Sequence, residues 1–313
     1  MAKDSATIRA KVSPKSLRGR MSFLANRLRY YFEVIGSLHD CAYDIKGGIE
    51  ALVNETAKAH LAKIGTGVPL DPSELSYGLS FAVRLLAPEI QRHGSNRDVA
   101  ICSVATGEAY RERVGKCLKT HESYCRARGY DYIQQLATPL GLNRAPSWYK
   151  IPLVFKALQL GYKHVFFIDA DAMVTNESIC VEACVNKLKD KGLFYVAEDE
   201  GGINCGVFLL KSDPDAFRLL DLIWLNDQGP HRLWEQAALV SLLNRHRQVR
   251  DLVTVAESAK DINSFPPERG EFYRKEQINT WTPGDFICHF AGLRDEVLVS
   301  LIDDYQKKMG KQA

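Results

Sequence analysis

From Asp98 onward the chain alternates short apolar runs with longer segments whose apolar positions recur at helical spacing. That alternation predicts strands separated by helices, and hence an α/β fold with a mainly parallel central sheet. Strands are expected over 98–104, 131–136, 164–168, 193–197, 206–210, 251–255 and 286–290. Helices are expected over 108–128, 148–160, 233–244 and 296–307, and one from the Asp213-Pro214 cap to Leu225. The run His164–Ile168 is β-branched and aromatic, too short for a helix and ended by charge, so it reads as a fully buried strand.

Before residue 95 the period is helical throughout, so the pattern gives an N-terminal α-helical extension over 1–95 and a sheet domain over 96–313. Residues 1 to about 15 carry no periodic signal. Arg18–Ile35 places Met21, Leu24, Leu28, Tyr31 and Phe32 on one helical face with arginines between them. A second helix is expected over 39–63, weakened by Gly47-Gly48, and a third from Asp71-Pro72-Ser73-Glu74 towards Leu86. That third start combines an N-cap, a first-turn proline and a capping-box glutamate.

A formal net charge of +3 on 313 residues predicts no global attraction to nucleic acid. Local charge is less even: Met1–Tyr31 holds eight Lys and Arg against Asp4 alone. A basic amphipathic helix there suits peripheral contact with an anionic membrane through residues 1–35; packing on its own protein explains it equally. No run approaches the ~18 apolar residues that span a bilayer, and the N-terminus lacks the apolar core of a secretory signal. The eight cysteines form no CxxC pair and read as reduced thiols, so a cytoplasmic protein is expected, peripheral at the inner membrane face if the basic helix binds there.

The chemistry gathers at the end of the 164–168 strand, where Asp169-Ala170-Asp171 follows. Ligands of open α/β sheets bind beyond the carboxyl ends of strands. Paired carboxylates suit Mg²⁺ or Mn²⁺, which leave positions open for phosphates. Acids in a solvated loop are the competing reading. Around this stretch stand His121–Asp131, Trp148–Pro152, Asn204–Leu210, Trp234–Ala237, Ile262–Ser264 and Gly284–Gly292. In that order and spacing the series resembles glycosyltransferase family 34, over about residues 98–294.

The resemblance implies a GT-A fold and a retaining, metal-dependent transfer from a nucleotide-sugar to a glycan or lipid-linked glycan acceptor, with an α linkage. UDP and galactose are the favoured donor parts. Mn²⁺, or Mg²⁺, would be held by Asp169, Asp171 and His289; a core histidine is the alternative for His289. Lys150 would reach the donor phosphates rather than stand as a solvated helix lysine. Thr106 and Gly107 would lie near the nucleobase, Asn204 and Gly206 would line the sugar pocket, and Gly292 belongs to the metal-ligand segment. Where the family usually places a phosphate-binding lysine, this chain has Leu293-Arg294, so Arg294 would take that role. Glu235 and Gln236 correspond to the acidic-Gln pair beside the anomeric carbon. Gln236 is a neutral amide and a poor nucleophile, which favours front-face substitution with Glu235 on sugar hydroxyls. Asp199 is a second candidate for hydroxyl recognition, against a solvated loop acid. Two other classes compete: a nucleotidyltransferase, whose Gly-rich phosphate loop is missing at Ala105-Thr106-Gly107-Glu108, and a non-catalytic scaffold or glycan-binding protein.

Overall fold

A computed structural model of the chain describes residues 41–94, 96–227, 231, 233–269, 279–293 and 295–310. The basic helix expected over 18–35, its membrane contact, and Arg294 lie outside the described residues. The chain divides into two compact units, Met1–Glu55 and Thr56–Ala313. Of the first, the described residues are helical, within α1 (Cys41–Lys63). None of the described helices is long and apolar enough to cross a membrane.

The second unit is built on seven strands: β1 (Glu89–Gln91), β2 (Asn96–Val104), β3 (Tyr130–Gln135), β4 (His164–Ile168), β6 (Phe194–Asp199), β7 (Gly202–Lys211) and β8 (Val253–Val255). Their order across the sheet is β1-β3-β2-β4-β7-β6-β8. β2 pairs in parallel with β3 and β4, and β6 with β8, while β1 and β7 run antiparallel to their neighbours. Five of the seven strands therefore point the same way, and their carboxyl ends share one edge. β1 is an addition to the expected strands: Pro88 stops the preceding helix, and the next residues pair with β3.

The central strand shows why both faces are covered. Successive side chains of a strand point to opposite faces. Val165 and Phe167 pack into the core formed with α4 (Lys150–Gln159), α6 (Pro214–Leu225) and α7 (Trp234–Arg245). Phe166 and Ile168 pack on the other side with Tyr124 of α3 (Glu108–Arg128) and with Phe286. Each such side chain contributes about 1.5–3 kcal/mol relative to exposure. Short helices α5 (Val181–Val185) and α8 (Arg247–Asp251) and the closing helix α9 (Asp295–Gly310) complete the layers.

The helix expected from Asp71 to Leu86 is interrupted. Asp71 caps only a 3₁₀ turn, Pro72–Glu74; Leu75 and Ser76 are then extended, and α2 (Tyr77–Leu85) starts afresh with Ser76 as its cap. The cause is tertiary. Buried Asp221 of α6 accepts from the Ser76 backbone N–H at 2.7 Å and from its hydroxyl, and it also bonds His60 at 2.8 Å. These contacts tie residues 56–94 to the sheet unit.

A second small sheet decides the site. β5 (Ala172–Val174) follows the Asp169–Asp171 turn and pairs antiparallel with β9 (Ile287–His289), Ala172 opposite His289. At three residues β5 is too short for periodicity to reveal.

Candidate active site

β4 ends at Ile168, and the chain turns at once: the Asp169 N–H donates to the Gly206 carbonyl at 2.7 Å, and the Ala172 N–H to the Asp169 carbonyl at 3.0 Å. Ala170 is buried beneath this turn, which leaves Asp169 and Asp171 facing the same cleft. The β5–β9 register brings His289 alongside them. Ligand atoms of Asp169, Asp171 and His289 lie within 4.8 Å of one another. Sequence reasoning named these three, and the structure unites them.

The orientation of His289 depends on a chain of groups in which Asn263, given no role from the sequence, is the first link. His289 Nδ1 is 3.0 Å from Asn263 Oδ1; Asn263 Nδ2 donates to Asn204 Oδ1 at 3.1 Å; Asn204 Nδ2 donates to Asp199 Oδ2 at 2.8 Å. Asn204 Oδ1 also accepts from the Gly206 N–H at 3.0 Å. Read along the chain, the Asn263 amide nitrogen is committed as a donor, so its oxygen accepts and His289 carries a proton on Nδ1. Nε2 then faces Asp171 Oδ1 at 3.5 Å. Nε2, the nitrogen not used by Asn263, and the Asp171 carboxylate would both be able to ligate a cation placed between them. The donor set thus fits a divalent ion, and the imidazole favours Mn²⁺ over Mg²⁺. Asn263→Ala is expected to weaken Mn²⁺ binding about 10–100-fold, the range for lost orienting partners of a metal-ligating histidine. Isothermal titration checks this; unchanged affinity would remove Asn263 from the site.

Gly206 lines the cleft and lies directly against His289. A side-chain carbon built there would lie 2.0 Å from His289 Cε1. The imidazole ring occupies the space that glycine leaves. Gly107 opens α3 at φ +88°, a left-handed conformation that favours glycine. Thr106 and Gly292 line the cleft, as does Tyr110 on the first turn of α3.

Lys150 is buried at the start of α4, with Nζ 3.1 Å from Asp169 Oδ1, 3.0 Å from Glu235 Oε1 and 3.1 Å from the Cys205 carbonyl. Burial acts to lower its affinity for the proton, but Asp169 and Glu235 together outweigh that and hold the amine charged. It is not a solvated lysine. Glu235 is only 4% exposed, and its other oxygen accepts from the Ser147 hydroxyl at 2.6 Å. Next to it, Gln236 Oε1 accepts from the Cys205 N–H at 3.0 Å.

Asp199, the β6-end acid, is buried and accepts from Gly201 N–H, Asn204 Nδ2 and Arg269 Nη2 at 2.7, 2.8 and 3.0 Å. The solvated-loop reading does not hold for it. Arg269 was not foreseen. Its guanidinium also donates to Glu200 and to the Ala291 carbonyl, each at 3.0 Å, joining the acidic loop to the His289–Gly292 segment. A single arginine in an irregular stretch gives no periodic signal. His121 is likewise buried, bonded through Nε2 to the Ala172 carbonyl at 2.7 Å; burial drops it to about 4, so it acts as a neutral prop for β5.

Burial pushes Asp169 up to about 6, with Lys150 opposing the rise and Asp171 adding to it. Its metal-binding form is the carboxylate, so ion affinity falls as pH drops through that value. Mn²⁺ affinity is expected to fall roughly fourfold or more between pH 7.5 and 5.5, because protons compete for the ligands. The Asp169→Asn variant should bind more weakly and show a shallower profile; equal slopes in the two proteins would contradict the assignment.

These groups line one open cleft of about 910 Å³ at the carboxyl edge of the sheet, within the size range of small-molecule sites. Residues 184–296 match the model of the galactosyl transferase GMA12/MNN10 family, a segment that includes Glu235, Gln236, His289 and Gly292 and begins after the Asp169–Asp171 turn. The probable alpha-1,2-galactosyltransferase gmh1 of Schizosaccharomyces pombe is 22% identical, over 56% of this chain. The aligned region spans 62% of that relative's length. Among solved structures, a glycosyltransferase involved in glycosylation of the major capsid of PBCV-1 superposes with a TM-score of 0.52 at 15% identity, covering 66% of this chain and 98% of its own. That likeness concerns the fold. Over residues 184–296 the chain is thus similar to the galactosyl transferase GMA12/MNN10 family, and its α/β fold is GT-A-like.

Proposed function

We propose that this protein is a metal-dependent, retaining glycosyltransferase that moves galactose from a UDP-linked donor to a glycan or lipid-linked glycan acceptor. The observation that carries the reading is the convergence of Asp169, Asp171 and an Asn263-oriented His289 at the carboxyl edge of the sheet, in one cleft with Glu235 and Gln236. Galactose is supported by the description of the matched family and by the name of the yeast relative; UDP rests on the family resemblance.

Asp169, Asp171 and His289 would hold a divalent cation, which when bound supplies positive charge to a diphosphate leaving group. The rest falls to the chain's own residues. Lys150 fixes the position of Asp169 and gives Glu235 a charged partner. Gln236 has its oxygen committed to the Cys205 N–H, so its amide N–H groups are what it has left to offer the sugar. Glu235 is buried with both oxygens bonded. These commitments, and the weak nucleophilicity of a neutral amide, support a route without a glycosyl ester on either residue. Retention then follows from front-face substitution: the acceptor oxygen bonds to the anomeric carbon on the face from which the diphosphate leaves. The hydroxyl proton passes to a departing phosphate oxygen. A trapped, kinetically competent glycosyl adduct on either residue would sink this route.

The test is a donor-hydrolysis screen. The full chain is incubated with UDP-galactose, UDP-glucose, UDP-xylose, UDP-GlcNAc and GDP-mannose, with and without Mn²⁺, beside Asp171→Ala. Mn²⁺-dependent release of UDP from UDP-galactose, abolished in the variant, is expected. If Mn²⁺ strengthens neither nucleotide release nor UDP binding, the catalytic reading fails. Action at the cytoplasmic membrane face rests on the charge of residues 1–35; liposome binding that survives their deletion would remove it.

A further inference from the structure

We infer that Trp234 is the platform on which the acceptor sugar stacks, an assignment that rests on the transfer reading above. Trp234 is 42% exposed on the wall of the cleft, beside Leu233, which is also exposed. The other three tryptophans, Trp148, Trp224 and Trp281, are buried against aromatic partners. Among the described residues, no aromatic ring covers this indole, and much of its apolar surface stays exposed on the cleft wall.

Its backbone is held in a costly conformation. Trp234 sits at φ +41°, in the left-handed region that bulky residues rarely enter. Such outliers persist where neighbours over-determine them, and they cluster at ligand clamps. Here the neighbours are identifiable. The Trp234 N–H donates to the His231 carbonyl at 3.0 Å, and the Leu233 carbonyl accepts from the Gln236 and Ala237 N–H groups at 3.0 and 3.2 Å. Immediately after it, Glu235 is locked by Lys150 and Ser147, and Gln236 by the Cys205 N–H. The indole is therefore anchored one residue from the pair beside the reacting carbon.

The chemistry of the cleft divides accordingly. Its inner part, with carboxylates, an imidazole and a lysine, suits a cation and a diphosphate. Of the described lining residues, Leu233 and Trp234 give this part of the cleft an apolar surface. It matches the C–H face of a pyranose, which packs on an aromatic ring while its hydroxyls stay in water. A sugar acceptor must reach the anomeric centre from this open side, continuous with the donor site.

The test uses the full chain with UDP and Mn²⁺ present and the methyl glycosides of galactose, glucose and mannose as probes. Binding is read by saturation-transfer NMR and calorimetry, which need no turnover. At least one glycoside is expected to bind, about 10-fold or more weakly to Trp234→Ala, and within about 3-fold of wild type to Trp234→Phe, since a smaller ring keeps the stacking face. Failure of the wild type to bind any glycoside, equal binding by Trp234→Ala, or equal loss in both variants overturns the assignment. If Trp234→Ala instead raises the KM for UDP-galactose while glycoside binding is kept, the indole serves the donor sugar and the acceptor role falls. Absence of both Mn²⁺-dependent nucleotide release and Mn²⁺-strengthened UDP binding would sink the transfer reading alone, because glycoside binding is measured without turnover.

Discussion

Gly206→Ala is expected to remove His289 from the ion-binding trio, with a loss of Mn²⁺ affinity of about 100-fold, the upper end for disturbed metal-site geometry. The added methyl would stand 2.0 Å from Cε1, 2.8 Å from Nδ1 and 2.9 Å from Nε2 of the imidazole. Contacts that short do not exist, so something must move. The strand resists: the Gly206 carbonyl holds the Asp169 N–H and its own N–H is held by Asn204, so a shift of β7 carries Asp169 with it. The ring resists less, but leaving means breaking its bond to Asn263. Either accommodation separates the ligands. The stability cost should be about 1–3 kcal/mol, typical of overpacking, so the variant should remain folded. Gly206→Ala combined with His289→Ala provides the control. Removing the ring makes room for the methyl, so thermal stability should recover while ion binding does not. Wild-type Mn²⁺ affinity in Gly206→Ala would show that the ring does not serve as a ligand from this position.

Lys150→Met is expected to cost stability first. The ammonium is the partner of two carboxylates, Asp169 and Glu235, and Glu235 is almost wholly buried. Removing one member of a buried ion set leaves uncompensated charge, at about 3–5 kcal/mol. For a unit of this size, that lowers Tm by roughly 6–20 °C by calorimetry. Glu235→Gln in the same chain removes the surplus negative charge and should recover part of the loss. Lys150 also opposes the burial that raises Asp169, so without it Asp169 should hold its proton to higher pH. Mn²⁺ binding in Lys150→Met should then weaken at a higher pH than in the wild type. A drop in stability below 1 kcal/mol, or none recovered by Glu235→Gln, would contradict the buried clamp.

Much of the frame was legible because it depends on local pattern. The run His164–Ile168 can hide its side chains only as a sheet interior, and the charges that end it stand at the ligand-binding edge whatever the neighbours are. The helix from Asp71 shows the limit of such reading. Its cap residues are good, yet it breaks at Ser76, because Asp221, some 145 residues away, takes that residue's N–H and hydroxyl. At Gly206 only the tertiary structure shows the close neighbour, the His289 ring that a side chain there would meet. Arg269 left no trace, since nothing local marks an arginine whose partners are acids about 70 residues earlier.

The sequence by itself determined the succession of strands and helices, and which acids, amides and imidazole stand near strand ends. Periodicity and caps act over a few residues, and these features need no more. Only the tertiary structure decided what each polar group does. Lys150 is a clamp, Asp199 is a hub for three donors, and His289 is turned by Asn263. The physical reason lies in register. β5 meets β9 with Ala172 opposite His289, and a slip of one residue would turn His289 to the other face. Ala172 and Ile287 pack into one core and Met173 and Cys288 into another, and this tertiary fit leaves almost no signal in two three-residue strands.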